Sequence, residues 1–134
     1  MIKELVIDAR GATLGRLASF VAKQALLGKK IIIVNCEEAV ITGKPKTTIN
    51  SYKETRNKGS ANLRGPYFPK HSDKIMKRTI RGMLAHRQTR GNDALKRVIC
   101  HNRIPEEYVE VKKILAGKEK NTKTIKLLDL TKEI

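Results

Sequence analysis

The chain has 134 residues, 40% of them hydrophobic and 31% charged, with 29 Lys+Arg against 13 Asp+Glu and a formal net charge of +16. That length fits one domain, 1–134, and the apolar fraction supplies a core, which excludes a wholly disordered chain. A surplus of this size repels itself unless a polyanion neutralises it, and nucleic acid fits better than an anionic membrane in a chain with no Trp and only two Phe.

In chain order, Glu4-Leu5-Val6-Ile7-Asp8 reads as a short strand and Arg10-Gly11-Ala12 as a turn. Thr13 is a plausible N-cap for a helix to about Leu27. Leu14, Leu17, Ala18, Val21 and Ala25 share one face of it, with Arg16, Ser19 and Lys23 opposite, and Gly28 supplies the stop. Ile31-Ile32-Ile33-Val34 is apolar at every position, which suits a strand covered on both faces of a parallel sheet. Strand, helix and strand within this length make a βαβ unit. Ala39-Val40-Ile41-Thr42 reads as another extended segment, and Pro45 as the first turn of a helix through about Asn57, stopped by Gly59.

Residues 59–71 hold Gly59, Gly65, Pro66 and Pro69 and are expected to be irregular. Ser72 is expected to cap a helix over 73–84. Ile75, Met76, Thr79, Ile80, Met83 and Leu84 would cover one half of that helix, and Lys74, Lys77, Arg78 and Arg81 would form a stripe on the other. All four cations are therefore expected to be replaceable by Glu without loss of the fold, whereas Ile80→Asp should unfold it. Arg87 to Gly91 reads as a basic turn, with Asn92 or Asp93 capping a short helix that carries Leu95, Lys96 and Arg97. Val98-Ile99-Cys100 reads as extended, Pro105-Glu106-Glu107 as a turn, and Ile125 to Leu130 as a last strand. The alternation argues an α/β domain with a small, mostly parallel sheet between helical layers.

The charge is not spread evenly. Residues 53–103 hold 14 basic and 3 acidic residues, net +11, against +4 for 1–52 and +1 for 104–134. His71, His86 and His101 all lie in that middle segment. Their spacing offers no metal motif, and Cys36 and Cys100 form no CxxC pair, so reduced thiols and no metal are expected. The turn Gly11-Ala12-Thr13-Leu14-Gly15-Arg16 lacks the second glycine of a dinucleotide fingerprint. Gly43-Lys44-Pro45 lacks the hydroxyl of a P-loop. Glu54, Asp73 and Asp93 are the only carboxylates in the basic segment, too few for a nuclease metal cluster, and the two aspartates look like helix-start residues. No catalytic residue, cofactor or small-molecule substrate is expected. Tyr67-Phe68 has two readings, a pair tucked onto the core or a stacking platform for an unpaired base. No apolar run approaches the ~18 residues of a membrane span, and Met1-Ile2-Lys3-Glu4 lacks a signal-peptide layout. A cytoplasmic setting without a membrane partner is therefore expected.

Ile7-Asp8-Ala9-Arg10, Leu14-Gly15-Arg16-Leu17-Ala18-Ser19, Val34-Asn35 and Ala39-Val40-Ile41-Thr42-Gly43 together resemble the N-terminal half of the ribosomal protein L13 family of the large subunit. Tyr67-Phe68-Pro69-Lys70, Lys77-Arg78-Thr79-Ile80-Arg81-Gly82-Met83-Leu84, Arg90-Gly91 and Ala94-Leu95-Lys96-Arg97 resemble its second block, in the archaeal and eukaryotic branch. The resemblance covers roughly residues 5–100. It departs at Ala85, where the family usually has Pro, at Ile99, near which it often has an aromatic, and at Asn102, near which it often has Gly.

The resemblance implies a three-layer α/β/α sandwich with a four-stranded parallel sheet. It also implies a non-catalytic role in the large ribosomal subunit, with large-subunit ribosomal RNA and neighbouring large-subunit proteins as partners. Combined with the charge, it makes a basic loop-helix-loop surface the expected RNA-binding site. The candidates are Arg56, Lys58, Arg64, Tyr67, Phe68, Lys70, His71, Lys74, Lys77, Arg78, Arg81, His86, Arg87, Arg90, Lys96 and Arg97, with Arg10 and Arg16 secondary. Arginine suits phosphate through its planar fork. About eight phosphate contacts would make log affinity fall with log salt at a slope of roughly −6 to −7. Two other classes fit the same composition: a nucleotide-dependent or RNA-modifying enzyme on the same scaffold, with a ligand near Gly11–Gly15 or Asn35, and a DNA-binding or general nucleic-acid chaperone that takes DNA and RNA alike.

Overall fold

The computed structural model describes residues 4–57, 71–115 and 123–133, and the side chains of residues 56 and 57 are not among those described. Strand β1 (Glu4–Asp8) turns into helix α1 (Leu14–Leu26), which returns to strand β2 (Lys30–Val34). The strands pair in parallel from Glu4 opposite Lys30 to Asp8 opposite Val34, so the expected βαβ unit forms. α1 buries Leu14, Leu17, Ala18, Val21, Ala22 and Ala25, and leaves Arg16, Ser19 and Lys23 in solvent. Thr13 is the N-cap by position, and its carbonyl accepts from the Leu17 N–H at 2.9 Å, but its hydroxyl makes no cap hydrogen bond. Gly28 ends the helix at φ +94°, where a side chain would be strained, and its N–H donates to the Ala25 carbonyl at 3.0 Å.

The remaining elements follow as β3 (Val40–Thr42), α2 (Pro45–Asn57), α3 (Ser72–Gly82), α4 (Thr89–Lys96), β4 (Val98–Cys100), β5 (Ile114–Leu115), β6 (Thr124–Lys126) and α5 (Leu127–Glu133). The main sheet runs β4-β2-β1-β5 and every pairing in it is parallel. β3 lies outside this sheet and pairs antiparallel with β6, Ile41 opposite Ile125.

The unbroken apolar run of β2 is explained by its central place. Ile31 and Ile33 face one side and join α1, α3, α4 and α5 in the larger core. Ile32 and Val34 face the other side and join Val6, with Ile99, Ile104 and Tyr108 packed against them. The pleat sorts alternate residues to opposite faces. The expected α/β sandwich with a four-stranded parallel sheet is therefore present, and among the described residues the second face carries a 3-10 turn (Glu106–Tyr108). No helix among the described residues is long and apolar enough to cross a membrane.

Four boundaries differ from expectation. Ile125 to Leu130 is not one strand: the Leu127 N–H donates to the Ala39 carbonyl at 2.9 Å and a helix begins there, burying Leu127 and Leu130 on one face. Ser72 is the first residue of α3, buried, and His71 is the N-cap. α3 ends at Gly82, so Met83 lies beyond the helix and is 45% exposed, although Leu84 is buried. α4 begins at Thr89 with Gln88 as N-cap, so Asn92 and Asp93 are exposed mid-helix residues, not caps. The position of α4 is set by Gly91. A Cβ there would sit 2.0 Å from the Ala85 carbonyl oxygen, so only glycine lets the helix lie against the preceding turn.

Candidate nucleic-acid interface

α3 and α4 both pack on α1, and the α3–turn–α4 segment carries Lys74, Lys77, Arg78, Arg81, Arg87, Arg90 and Lys96. α3 forms because Ile75, Met76 and Ile80 recur at helical spacing and bury against the sheet, with Asp73 in the first turn complementing the helix dipole. Its opposite side presents Lys74 and Arg81 to solvent, and Arg78 is half-buried.

Lys77 does not belong to that exposed stripe. It is half-buried, and its Nζ donates to the carbonyl oxygen of Leu95 at 2.8 Å and to that of Val98. Burial holds its ammonium below the ordinary lysine range. The fold spends this cation on the carbonyls at the end of α4 and the start of β4. The expectation that all four α3 cations tolerate Glu is therefore withdrawn for Lys77.

Arg97 is likewise tied into the fold. It is half-buried, and its Nη1 donates to the Ala25 carbonyl at 2.8 Å. Ala25 lies in the last turn of α1, and its carbonyl, which also accepts from the Gly28 N–H, takes this second bond from Arg97, a cap from another element.

The remaining described candidates stay in solvent. His86, Arg87 and Arg90 are exposed around the turn into α4, and Lys96 is exposed at its end. The His86 Nδ1 lies 3.3 Å from both the Arg81 and Leu84 carbonyl oxygens, which fixes the ring against the turn. His71 is exposed ahead of α3, Arg10 in the turn after β1, and Arg16 on the first turn of α1. Lys58, Arg64, Tyr67, Phe68 and Lys70 lie outside the described residues. Arg56 is in the last turn of α2, but its side chain also lies outside them.

Two concave surfaces adjoin these groups. Lys74, Lys77 and Lys96 line a cleft of about 310 Å³ with Asp73, Val98, Ile99 and Cys100. His71 and Ser72 line another of about 250 Å³ with Glu37, Asn102, Arg103, Leu128 and Thr131. Arg103 was not among the expected site residues. Its backbone is left-handed at φ +60°, held by its N–H donating to Glu37 Oε2 at 2.8 Å and its carbonyl accepting from the Asn35 N–H at 3.0 Å. No sequence motif marks it, because the pairing to Glu37 spans 66 residues.

Among the described residues the two ion pairs are Lys30–Glu4 and Lys126–Glu38, and neither touches Lys74, Arg81, Arg87, Arg90 or Lys96. These five cations are uncompensated, as a surface that meets phosphate requires. At the carboxyl ends of β1 and β2, where α/β sheets commonly hold ligands, Asp8 Oδ1 accepts from the Arg10 N–H at 3.0 Å and from Asn35 Nδ2 at 3.1 Å. A cavity of about 320 Å³ beside the first turn of α1 is lined by Thr13, Leu14, Gly15, Ile41, Thr42, Tyr52 and Thr79. No cluster of three or more His, Cys, Asp or Glu among the described residues is placed to hold a metal ion.

Comparison with known proteins identifies what the chain is similar to. The family model described as ribosomal protein L13 matches residues 2–107. The large ribosomal subunit protein uL13 of Methanosarcina barkeri is 53% identical over 110 residues, covering 81% of this chain and 78% of that protein. The protein of the same name from Methanocaldococcus jannaschii is 46% identical over 132 residues, covering 96% of each. That of Methanococcoides burtonii is 50% identical over 103 residues, covering 77% of this chain and 73% of its own length.

Proposed function

The chain belongs to the ribosomal protein L13 family, and on that premise we propose that it binds large-subunit ribosomal RNA through the α3–turn–α4 surface and supports assembly of the subunit. Membership makes it a structural, non-enzymatic constituent of the large subunit of the cytoplasmic ribosome. RNA binding, and the residues that perform it, are our reading.

The observation that carries the reading is the set of exposed cations without carboxylate partners among the described residues: Lys74, Arg81, Arg87, Arg90 and Lys96. With His86 they border a single helix–turn–helix ridge, which suits backbone phosphates that approach from several directions in a folded RNA. Recognition on such a surface is largely of shape, because A-form RNA hides its base edges in a deep, narrow groove. Arg10, Arg16 and His71 are secondary contacts, and Arg56, Lys58, Arg64, Tyr67, Phe68 and Lys70 extend the proposed surface from outside the described residues. Other large-subunit proteins are the proposed protein neighbours.

A filter-binding titration against large-subunit ribosomal RNA, with duplex DNA of equal charge as competitor, tests this. Retention of RNA binding under excess DNA supports the reading. Equal competition by DNA would reject it in favour of a general nucleic-acid chaperone.

A further inference from the structure

Cys36 follows β2 at the head of a 3-10 turn (Cys36–Glu38), and Cys100 ends β4, the strand beside β2. Both cysteines are free. The two segments are locked together by backbone bonds: Ile33 stands opposite Cys100 in the ladder, the His101 N–H donates to the Ile33 carbonyl at 2.8 Å, and the Cys36 N–H donates to the His101 carbonyl at 3.2 Å. The Cys36 Sγ lies 3.8 Å from that same Ile33 carbonyl oxygen. This ladder sets Cys36 and Cys100 on neighbouring segments, and the nearby Cys100 thiol, together with burial, pushes the Cys36 thiol above the ordinary thiol range.

Their access differs. Cys36 is 0% exposed. Cys100 is partly exposed and opens onto the cleft lined by Lys74, Lys77 and Lys96. One sulfur can meet a small dissolved oxidant, and the other is held behind it.

We propose that this pair is an oxidation site, at which a hydroperoxide converts the two thiols into an intramolecular Cys36–Cys100 disulfide. In the first step the Cys100 sulfur attacks one peroxide oxygen. An S–O bond forms, the O–O bond breaks, and sulfenic acid and water (an alcohol, for an organic hydroperoxide) result. In the second step the Cys36 sulfur attacks the sulfenic sulfur. An S–S bond forms, the S–O bond breaks, and the hydroxyl leaves as water with the Cys36 thiol proton. The two electrons removed from the thiol pair reduce the peroxide. The bond would tie the end of β4 to the turn after β2, next to the cleft that Lys77 floors. This proposal is independent of RNA binding.

The test is hydrogen peroxide treatment of the full native chain, followed by alkylation of free thiols under denaturing conditions and mass spectrometry of the proteolysed protein. The expected result is loss of both alkylatable thiols, a peptide pair joined through Cys36 and Cys100 on a monomeric chain, and recovery of both thiols with dithiothreitol. In Cys36→Ala, Cys100 should progress to sulfinic acid, and in Cys100→Ser, Cys36 should stay reduced in the folded protein. Three results would overturn the proposal: both thiols unchanged until the protein unfolds, sulfinic Cys100 beside a still-free Cys36 in the unsubstituted chain, or a disulfide between two chains. The unsubstituted protein suffices to decide, so misfolding of either variant does not blunt the test.

Discussion

Lys77 on α3 donates from Nζ to the carbonyl oxygen of Leu95 at 2.8 Å, across 18 residues of chain. With the neighbouring bond to Val98, one ammonium joins α3 to the end of α4 and the beginning of β4. Lys77→Met should destabilise the fold by about 1–3 kcal/mol, because two half-buried carbonyls lose their donor. Urea unfolding measures this. RNA affinity of the folded variant should match the parent, and a large loss of affinity at unchanged stability would return Lys77 to the binding surface.

The same lysine sets a pH dependence. Burial holds it below the ordinary value near 10.5, so the unfolded chain binds this proton more tightly than the folded one. Between the lowered value and about 10.5, stability contributed by Lys77 therefore rises with pH, and below that window it is constant. The gap in urea midpoint between the parent and Lys77→Met should widen as alkaline pH is approached. A gap that narrows would contradict the assignment.

Arg97 closes the last turn of α1 from outside that helix, with Nη1 on the Ala25 carbonyl at 2.8 Å. Arg97→Met should cost about 1.5–3 kcal/mol, the range for a hydrogen bond with one charged partner. Thermal unfolding gives the loss directly, and RNA affinity should be little altered.

Glycines in α1 and α4 should respond with opposite signs. At Gly91 a new Cβ meets the Ala85 backbone at 2.0 Å, which flexible side chains cannot relieve. Gly91→Ala should therefore destabilise by about 3 kcal/mol or more. At Gly15, exposed within α1, an added Cβ meets nothing within 4 Å. Gly15→Ala should stabilise by about 0.5–1 kcal/mol. Parallel urea titrations of the two variants test both.

With Lys77 and Arg97 committed to the fold, about six of the eight phosphate contacts first expected remain, and the slope of log affinity against log salt should be roughly −4 to −5. Replacing Arg81, Arg87 and Arg90 together by Glu should leave the circular dichroism unchanged, weaken RNA binding by orders of magnitude and flatten the slope. Unaltered binding would reject the ridge.

Much of the fold was legible from local pattern. Ile31-Ile32-Ile33-Val34 suited a strand with two covered faces, Leu14 to Ala25 carried a helical stripe, and Pro45 marked the start of α2 correctly. The errors lie where local pattern is ambiguous or silent. Ile125, Leu127 and Leu130 satisfy both a spacing of two and a spacing of three, and only the bond from Leu127 to Ala39 decides between them. Met83 followed the helical phase of α3, but the helix had already ended at Gly82. In the site, a lysine or arginine bound to a remote carbonyl has the same letter as one in water. The carbonyl bonds of Lys77 and Arg97, and the placement of Arg103 by Glu37 and Asn35, are therefore invisible in the sequence.

The separation of β3 from the main sheet has a kinetic consequence. β1, α1 and β2 are consecutive, so their pairing needs only a short loop and can form early. The Ile41–Ile125 pairing closes a loop of about eighty residues and pays a larger entropy before any contact rewards it. The β3–β6 ribbon, with the α5 leucines that follow it, and the β5 edge, whose pairing to β1 closes a still longer loop, are then the last parts of the molecule to lock, and the first to open under mild denaturant.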